Sequence, residues 1–174
     1  LHLRSRRQRQ MCIRDSLYPT TETKLDSLDV TDQKRSGRCW MFAALNVFRH
    51  RAAQELNVDN FEFSFTYLQY FDKLERANLV LNQLLDKKGA GWDDRTVAAV
   101  LDHASADGGW WCFFSNLVAK YGAVPAEVMP EVRSSGNTAE MNRDLATVVR
   151  RAAAQDGPRE EILAQARKDI HRIL

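Results

Sequence analysis

The stretch best equipped for chemistry is VTDQKRSGRCWMFAALNVFR, residues 30–49, which sets a thiol at the start of an apolar helical pattern. Unpaired backbone N–H groups and the helix dipole favour an anion at such a terminus, and the thiolate is the nucleophilic form of cysteine. Cys39 is therefore the candidate nucleophile. Arg38 beside it would add positive charge, and Gly37 would let a substrate backbone come close. Gln33 lies six positions earlier across a glycine-containing turn, which could return its amide N–H2 to the Cys39 backbone N–H. Two donors aimed at one point form an oxyanion hole. Without such neighbours, a lone Cys-Trp pair at a helix start is more often a packed core element.

Several elements must hold that stretch in place. Ser36 is a plausible N-cap for a first helix that carries Phe42, Leu45, Val47 and Phe48 toward a core and ends near Asn57. Ser64 caps a long second helix, with Leu68, Phe71, Leu74, Leu81 and Leu85 at three- and four-residue steps before Gly89 stops it. Asp93 and Asp94 lead a third, with Val97, Val100 and Leu101 on one face. The turn Asp107-Gly108-Gly109 hands over to a fourth, in which Trp111, Phe114, Leu117, Val118 and Tyr121 are periodic and Gly122 closes the helix. Cys112 on that aromatic face reads as core. Pro125 and Pro130 mark a loop, Thr138 opens a fifth helix, and Gly157-Pro158 separates it from a sixth through Ile162, Ile170 and Ile173. Strand-like alternation is scarce. The sixth pattern stops without a cap, which reads as truncation.

The chain has 174 residues, 44% hydrophobic and 28% charged, an ordinary mix able to bury a core. No apolar run approaches the roughly 18 residues of a membrane span. Three cysteines, at 12, 39 and 112, without a C-x-x-C pair fit neither a disulfide framework nor a zinc site, and a reducing compartment is expected. Residues 1–16 hold five Arg against one acid, leaving 20 basic residues against 22 acidic elsewhere, a net of −2. Without its head the chain offers no charge argument for nucleic acid. The string RSRRQRQMCIRDS resembles a translated sequencing-adapter read-through, so residues 1–16 are expected to be a non-native head in which His2 and Cys12 have no function.

Gln-x5-Cys-Trp followed by an apolar helix resembles the active-site segment of papain-like cysteine peptidases. TDQKRSGRCWMFAALN is closer still to one branch, the aminopeptidase C and bleomycin hydrolase family. FSFTYLQYFDKLERAN (63–78), SADGGWWCFFSNLVAKYGAVP (105–125) and MPEVRSSGNTAEMNRDL (129–145) are similar to its following segments, so the resemblance runs from about Leu25 to Leu145. Trp110, Cys112 and Met129 depart from the family pattern, where Gln, an acid and an aromatic are usual.

The resemblance implies a papain-like α+β fold. This chain would be its mainly α part: a nucleophile-bearing helical domain over 17–130 and the start of a helical insertion over 131–174, with the β-barrel half missing. It makes Cys39 the nucleophile and Gln33 the oxyanion donor, and it matches Asp107, Gly108 and Gly109 to the turn whose glycine backbone pairs with the substrate chain. Taken alone, Gly-Gly before an aromatic helix is simply a tight turn. Trp40 would wall the cleft or pack the helix start, chiefly the latter.

A general base, usually His held by Asn or Asp, is also required. His171 lies 132 residues beyond Cys39, inside the usual interval of roughly 130–150. Its setting, ARKDIHRIL, is helical and basic, however, whereas the family's His sits on a strand in apolar surroundings. His50 is expected to face solvent and His103 to lie at the cleft rim. The His and Asn are therefore expected beyond residue 174, and the chain alone is expected to be inactive. The family further implies a thiol-dependent aminopeptidase acting on peptide substrates, a cytoplasmic homohexamer, and no metal or organic cofactor. The rival reading is a non-catalytic helical interaction module derived from the same family.

Overall fold

The computed structural model describes residues 28–174, which form six helices and no β-strand. They are α1 (Cys39–Leu56), α2 (Phe65–Asp86), α3 (Arg95–Asp102), α4 (Trp111–Tyr121), α5 (Ala139–Ala153) and α6 (Arg159–Ile173). The arginine-rich head and Cys12 lie outside the described residues. Two isolated bridges, Arg35 with Asn137 and Phe63 with Pro125, tie the loops together. None of these helices is long and apolar enough to cross a membrane.

Local signals set most boundaries. Ser64 accepts a hydrogen bond from the Tyr67 N–H, and Asp94 accepts from Thr96 and Val97, so each satisfies orphan donors of its helix. Asn57 closes α1 in the left-handed conformation, and Gly122 closes α4 with φ of 75°. Ser36 does not cap α1. The helix begins three residues later, because the Ser36 hydroxyl donates to the Gln33 carbonyl at 2.5 Å and accepts from Arg38 Nε at 2.7 Å. Thr138 precedes α5 but makes no cap bond. Its hydroxyl reaches Asp107 instead.

Two apolar clusters share one rod. Met41, Phe42, Leu45, Phe65, Leu68, Phe114 and Leu117 join α1, the front of α2 and α4. The rear of α2, with Leu81, Leu84 and Leu85, packs with Val97, Leu145, Val149, Ile162 and Ile170. At 22 residues, α2 is about 33 Å long, enough to serve both. Val47 and Phe48 depart from the expected core placement. Positions 41, 42, 45, 49 and 53 make the inner stripe of α1, leaving Val47 exposed and Phe48 half-open against Trp111 and Phe114. Arg49 occupies an inner position, donating to the Phe61 and Asp29 carbonyls and to Asn60.

Candidate active site

Cys39 is the first residue of α1 and is exposed, so its thiol sits where the helix leaves backbone N–H groups unpaired. The preceding residue is tightly held. Arg38 is 2% exposed and makes a two-pronged ion pair with Glu131, Nη1 to Oε1 at 2.7 Å and Nη2 to Oε2 at 2.9 Å. Thr66 and Ser135 donate to the same carboxylate at 2.8 and 2.9 Å. Burial alone would raise the Glu131 pKa, but these donors, Arg38 foremost, hold it below the ordinary carboxylate range. Arg38 therefore does not act as the free positive charge expected beside the thiol. Its charge is matched by Glu131, and its contribution is to anchor the start of α1.

Opposite Cys39 stands the glycine turn. The Gly108 N–H donates to the Gly37 carbonyl at 3.0 Å, joining the turn to the residue two before the thiol. A Cβ added to Gly37 would lie 2.2 Å from Asp107 Cβ, and one added to Gly109 would lie 2.6 Å from the Trp40 ring. Both glycines are thus required by close approach, and Trp40 packs over the turn as well as against the front cluster. Gly108 has φ of 84°, a conformation that favours glycine. Among the described residues, neither the N–H nor the C=O of Gly109 has a hydrogen-bond partner. That leaves one open peptide edge beside the thiol-bearing helix start.

The turn is held from behind by α2. Lys73 Nζ donates to Asp107 Oδ1 at 2.7 Å and to the Ala106 carbonyl at 3.1 Å, while Arg76 Nη2 donates to the Gly108 carbonyl at 2.5 Å. Thr138 Oγ1 donates to Asp107 Oδ2 at 2.7 Å. Burial would raise the Asp107 pKa, yet hydrogen bonds from Lys73, Thr138 and Asn142 keep it low. Asp72, paired with Arg76 at 2.8 Å, is raised, because its burial outweighs the cation beside it.

Gly37, Cys39, Trp40, Asp107, Gly108 and Gly109 are therefore brought together. Gln33 is tied to the same loop by its carbonyl, which accepts from the Ser36 N–H and hydroxyl, and its buried side-chain Oε1 has no partner among the described residues. No histidine hydrogen-bonds to Cys39 among the described residues. His171 pairs with Tyr70 at 2.5 Å on α6, His103 lines a groove with Arg76 and Phe113, and His50 is half-buried on α1. Cys112 is exposed, not core, because the inward positions of α4 are Phe114 and Leu117.

Lys73, Arg76, Glu131 and Thr138 escaped the sequence reading. A signal existed for the partner of one of them: Asp72, which pairs with Arg76, stands four residues after Leu68, where the helical step calls for an apolar side chain. Glu131 carried no local mark, and Thr138 was marked only as a helix start.

A family model described as Peptidase C1-like family matches residues 4–172. Aminopeptidase C of Listeria monocytogenes is 37% identical over 161 residues, covering 86% of this chain and 36% of that protein. Aminopeptidase G of Lactobacillus delbrueckii subsp. lactis is 42% identical over 163 residues, covering 87% and 37%. A crystal structure of PepW from Lactobacillus rhamnosis HN001 superposes with a TM-score of 0.78 at 36% identity, covering 92% of this chain and 38% of that one. The chain thus spans a little over a third of the length of the relatives it matches. Its helices form a mainly α portion of their fold. With its Cys39 helix, glycine turn and this extent of similarity, the chain belongs to the Peptidase C1-like family, in the branch of the papain-like aminopeptidase C proteins.

Proposed function

We propose that this chain carries the nucleophile half of a thiol-dependent aminopeptidase acting on peptides. The observation that carries the reading is the Gly109 peptide edge, without a partner among the described residues, held by Trp40 and the Gly37–Gly108 hydrogen bond against the start of the helix that bears the exposed Cys39. A peptide laid along Gly109 would exchange N–H and C=O groups with it as an added strand does, with Asp107, Gly108, Gly37 and Trp40 shaping the wall. Cys39 Sγ attacks the carbonyl carbon of the N-terminal residue. The Gln33 amide and the Cys39 backbone N–H receive the oxyanion.

The general base takes the thiol proton as the S–C bond forms, and collapse of the tetrahedral intermediate breaks the C–N bond, the amine leaving with that proton. Water then adds to the thioester, releasing the free amino acid and returning the thiol. The base and its Asn partner are assigned to the stretch of the relatives that this chain does not span. No metal or organic cofactor is needed for these steps. The working protein on this reading is a cytoplasmic homohexamer, which native mass spectrometry tests directly.

The deciding comparison uses aminoacyl reporter substrates. The 174-residue chain should hydrolyse them no faster than its Cys39→Ala variant, while a polypeptide extended through the following reading frame should hydrolyse them in a Cys39-dependent manner. Cys39-dependent turnover by the short chain would mean that the base is within it, and turnover by neither would remove the peptidase reading.

A further inference from the structure

Along one side of α2, Thr66, Gln69, Lys73 and Arg76 follow each other at steps of three, four and three residues, where an amphipathic helix ordinarily buries apolar groups. Lys73 is 3% exposed, and Thr66 and Gln69 are buried with it. Removing an ammonium from water is unfavourable unless its surroundings replace the lost solvation. A methionine would pack there without that cost. What the ammonium does, and a thioether could not, is hold the Ala106 carbonyl and the Asp107 carboxylate at once, while Arg76, one turn on, holds the Gly108 carbonyl. Three consecutive residues of the turn are thereby fixed from behind. Among the described residues, the front is held by the Gly108 to Gly37 hydrogen bond and by Trp40 packed on Gly109, whose N–H and C=O are left open.

We infer that Lys73, assisted by Arg76, is the positioning residue that fixes the glycine turn beside Cys39. It touches neither the thiol nor any reacting atom. Its role is to keep the Gly109 peptide edge facing the cleft, and the catalytic meaning of that role rests on the peptidase reading above. Asp107 then acts as the link between Lys73 of α2 and Thr138 at the start of α5, which explains why the turn begins with a carboxylate.

The test is Lys73→Met in the full 174-residue chain, followed by amide hydrogen exchange. Protection of the Gly108 N–H should fall by about tenfold or more while Leu145 and Val149, in the rear cluster, keep theirs, and Lys73→Arg should restore most of it. Unchanged Gly108 protection in Lys73→Met overturns the inference. If that variant does not fold, Thr138→Val, which removes one bond to Asp107, replaces it with the same expected direction and the same overturning result.

A second readout separates positioning from packing. Cys39 labelling by a peptidyl chloromethyl ketone, relative to iodoacetamide, should lose its peptidyl preference in Lys73→Met with the iodoacetamide rate kept. A preference that survives the substitution overturns the inference. Absence of any peptidyl preference in the unsubstituted chain counts against the peptidase reading, and the Gly108 exchange still decides the role of Lys73.

Discussion

Gly37 and Asp107 approach so closely that a methyl group on the glycine would lie 2.2 Å from the aspartate Cβ. The neighbouring atoms belong to a turn that is bonded on both sides, so they cannot yield as the end of a flexible chain would. Gly37→Ala should therefore cost about 1–3 kcal/mol of stability, the range for overpacking a filled site. Urea unfolding measures it, and loss of Gly108 N–H protection should accompany the change.

Stability should fall on acidification. Glu131 and Asp107 are both held below the ordinary carboxylate range, so in acid the unfolded chain takes up these protons first and is favoured. Their stabilising effect is complete above the unfolded pKa of about 4 and fades as the pH drops toward the lower folded values. Asp72 works in the opposite sense, since its raised pKa lets the folded state bind the proton first. Glu131→Gln should flatten the acid limb of a stability-pH curve, and Asp72→Asn should steepen it. At neutral pH, Glu131→Gln should also cost about 1–3 kcal/mol by weakening the pairing of the buried Arg38.

Both described thiols should be chemically accessible. Cys39 and Cys112 are exposed and each stands in the first turn of its helix. Peptide mapping after iodoacetamide treatment of folded protein should find both modified, against the shielded Cys112 expected from sequence. A Cys112 that stays unmodified until denaturant is added would contradict its placement.

Val47, Phe48, Trp110 and Trp111 leave an apolar surface across α1 and the start of α4, with Trp110 73% exposed. Surfaces of this kind promote association. Sedimentation velocity should show self-association of the chain that weakens in a Phe48→Ser, Trp111→Ser double variant, because neither residue lies in a buried cluster. Equal sedimentation of the two proteins as monomers would remove the surface from consideration.

The boundaries that could be read from sequence were those set by a bond within one turn. Ser64 with Tyr67, and Asp94 with Thr96 and Val97, are of this kind, and so is the Gly122 stop, whereas α2 ends at Asp86, before the expected Gly89. Ser36 carried the same local mark and misled, because Arg38 and the Gln33 carbonyl compete for its hydroxyl. The Cys39 segment and the glycine turn were legible as two separate motifs, each defined by residues close in sequence. Their junction was not, since it depends on Gly37 meeting residues 107 and 108. Arg38 shows the same limit more sharply. Its adjacency to Cys39 suggested an electrostatic role, and only the partner 93 residues away reveals an anchor. Cys112 was misplaced for a different reason: α4 has aromatic residues on more than one face, so periodicity alone did not identify the inner one.

The Arg38–Glu131 pair also bears on how the protein is made. Cys39 emerges from the ribosome long before the residue 93 positions beyond its neighbour has been synthesised, and closing so long a loop carries an entropic cost that short-range helix pairing does not. Glu131 and Ser135 precede α5 and α6 in the chain, so the setting of the thiol can close before those helices pair, once Glu131, with Thr66 and Ser135 donating to it, meets the guanidinium. The nascent chain therefore displays Cys39 on an unanchored helix start until Glu131 has been made. The nucleophile is thus kept out of its working geometry while the segment between residues 39 and 131 is being made.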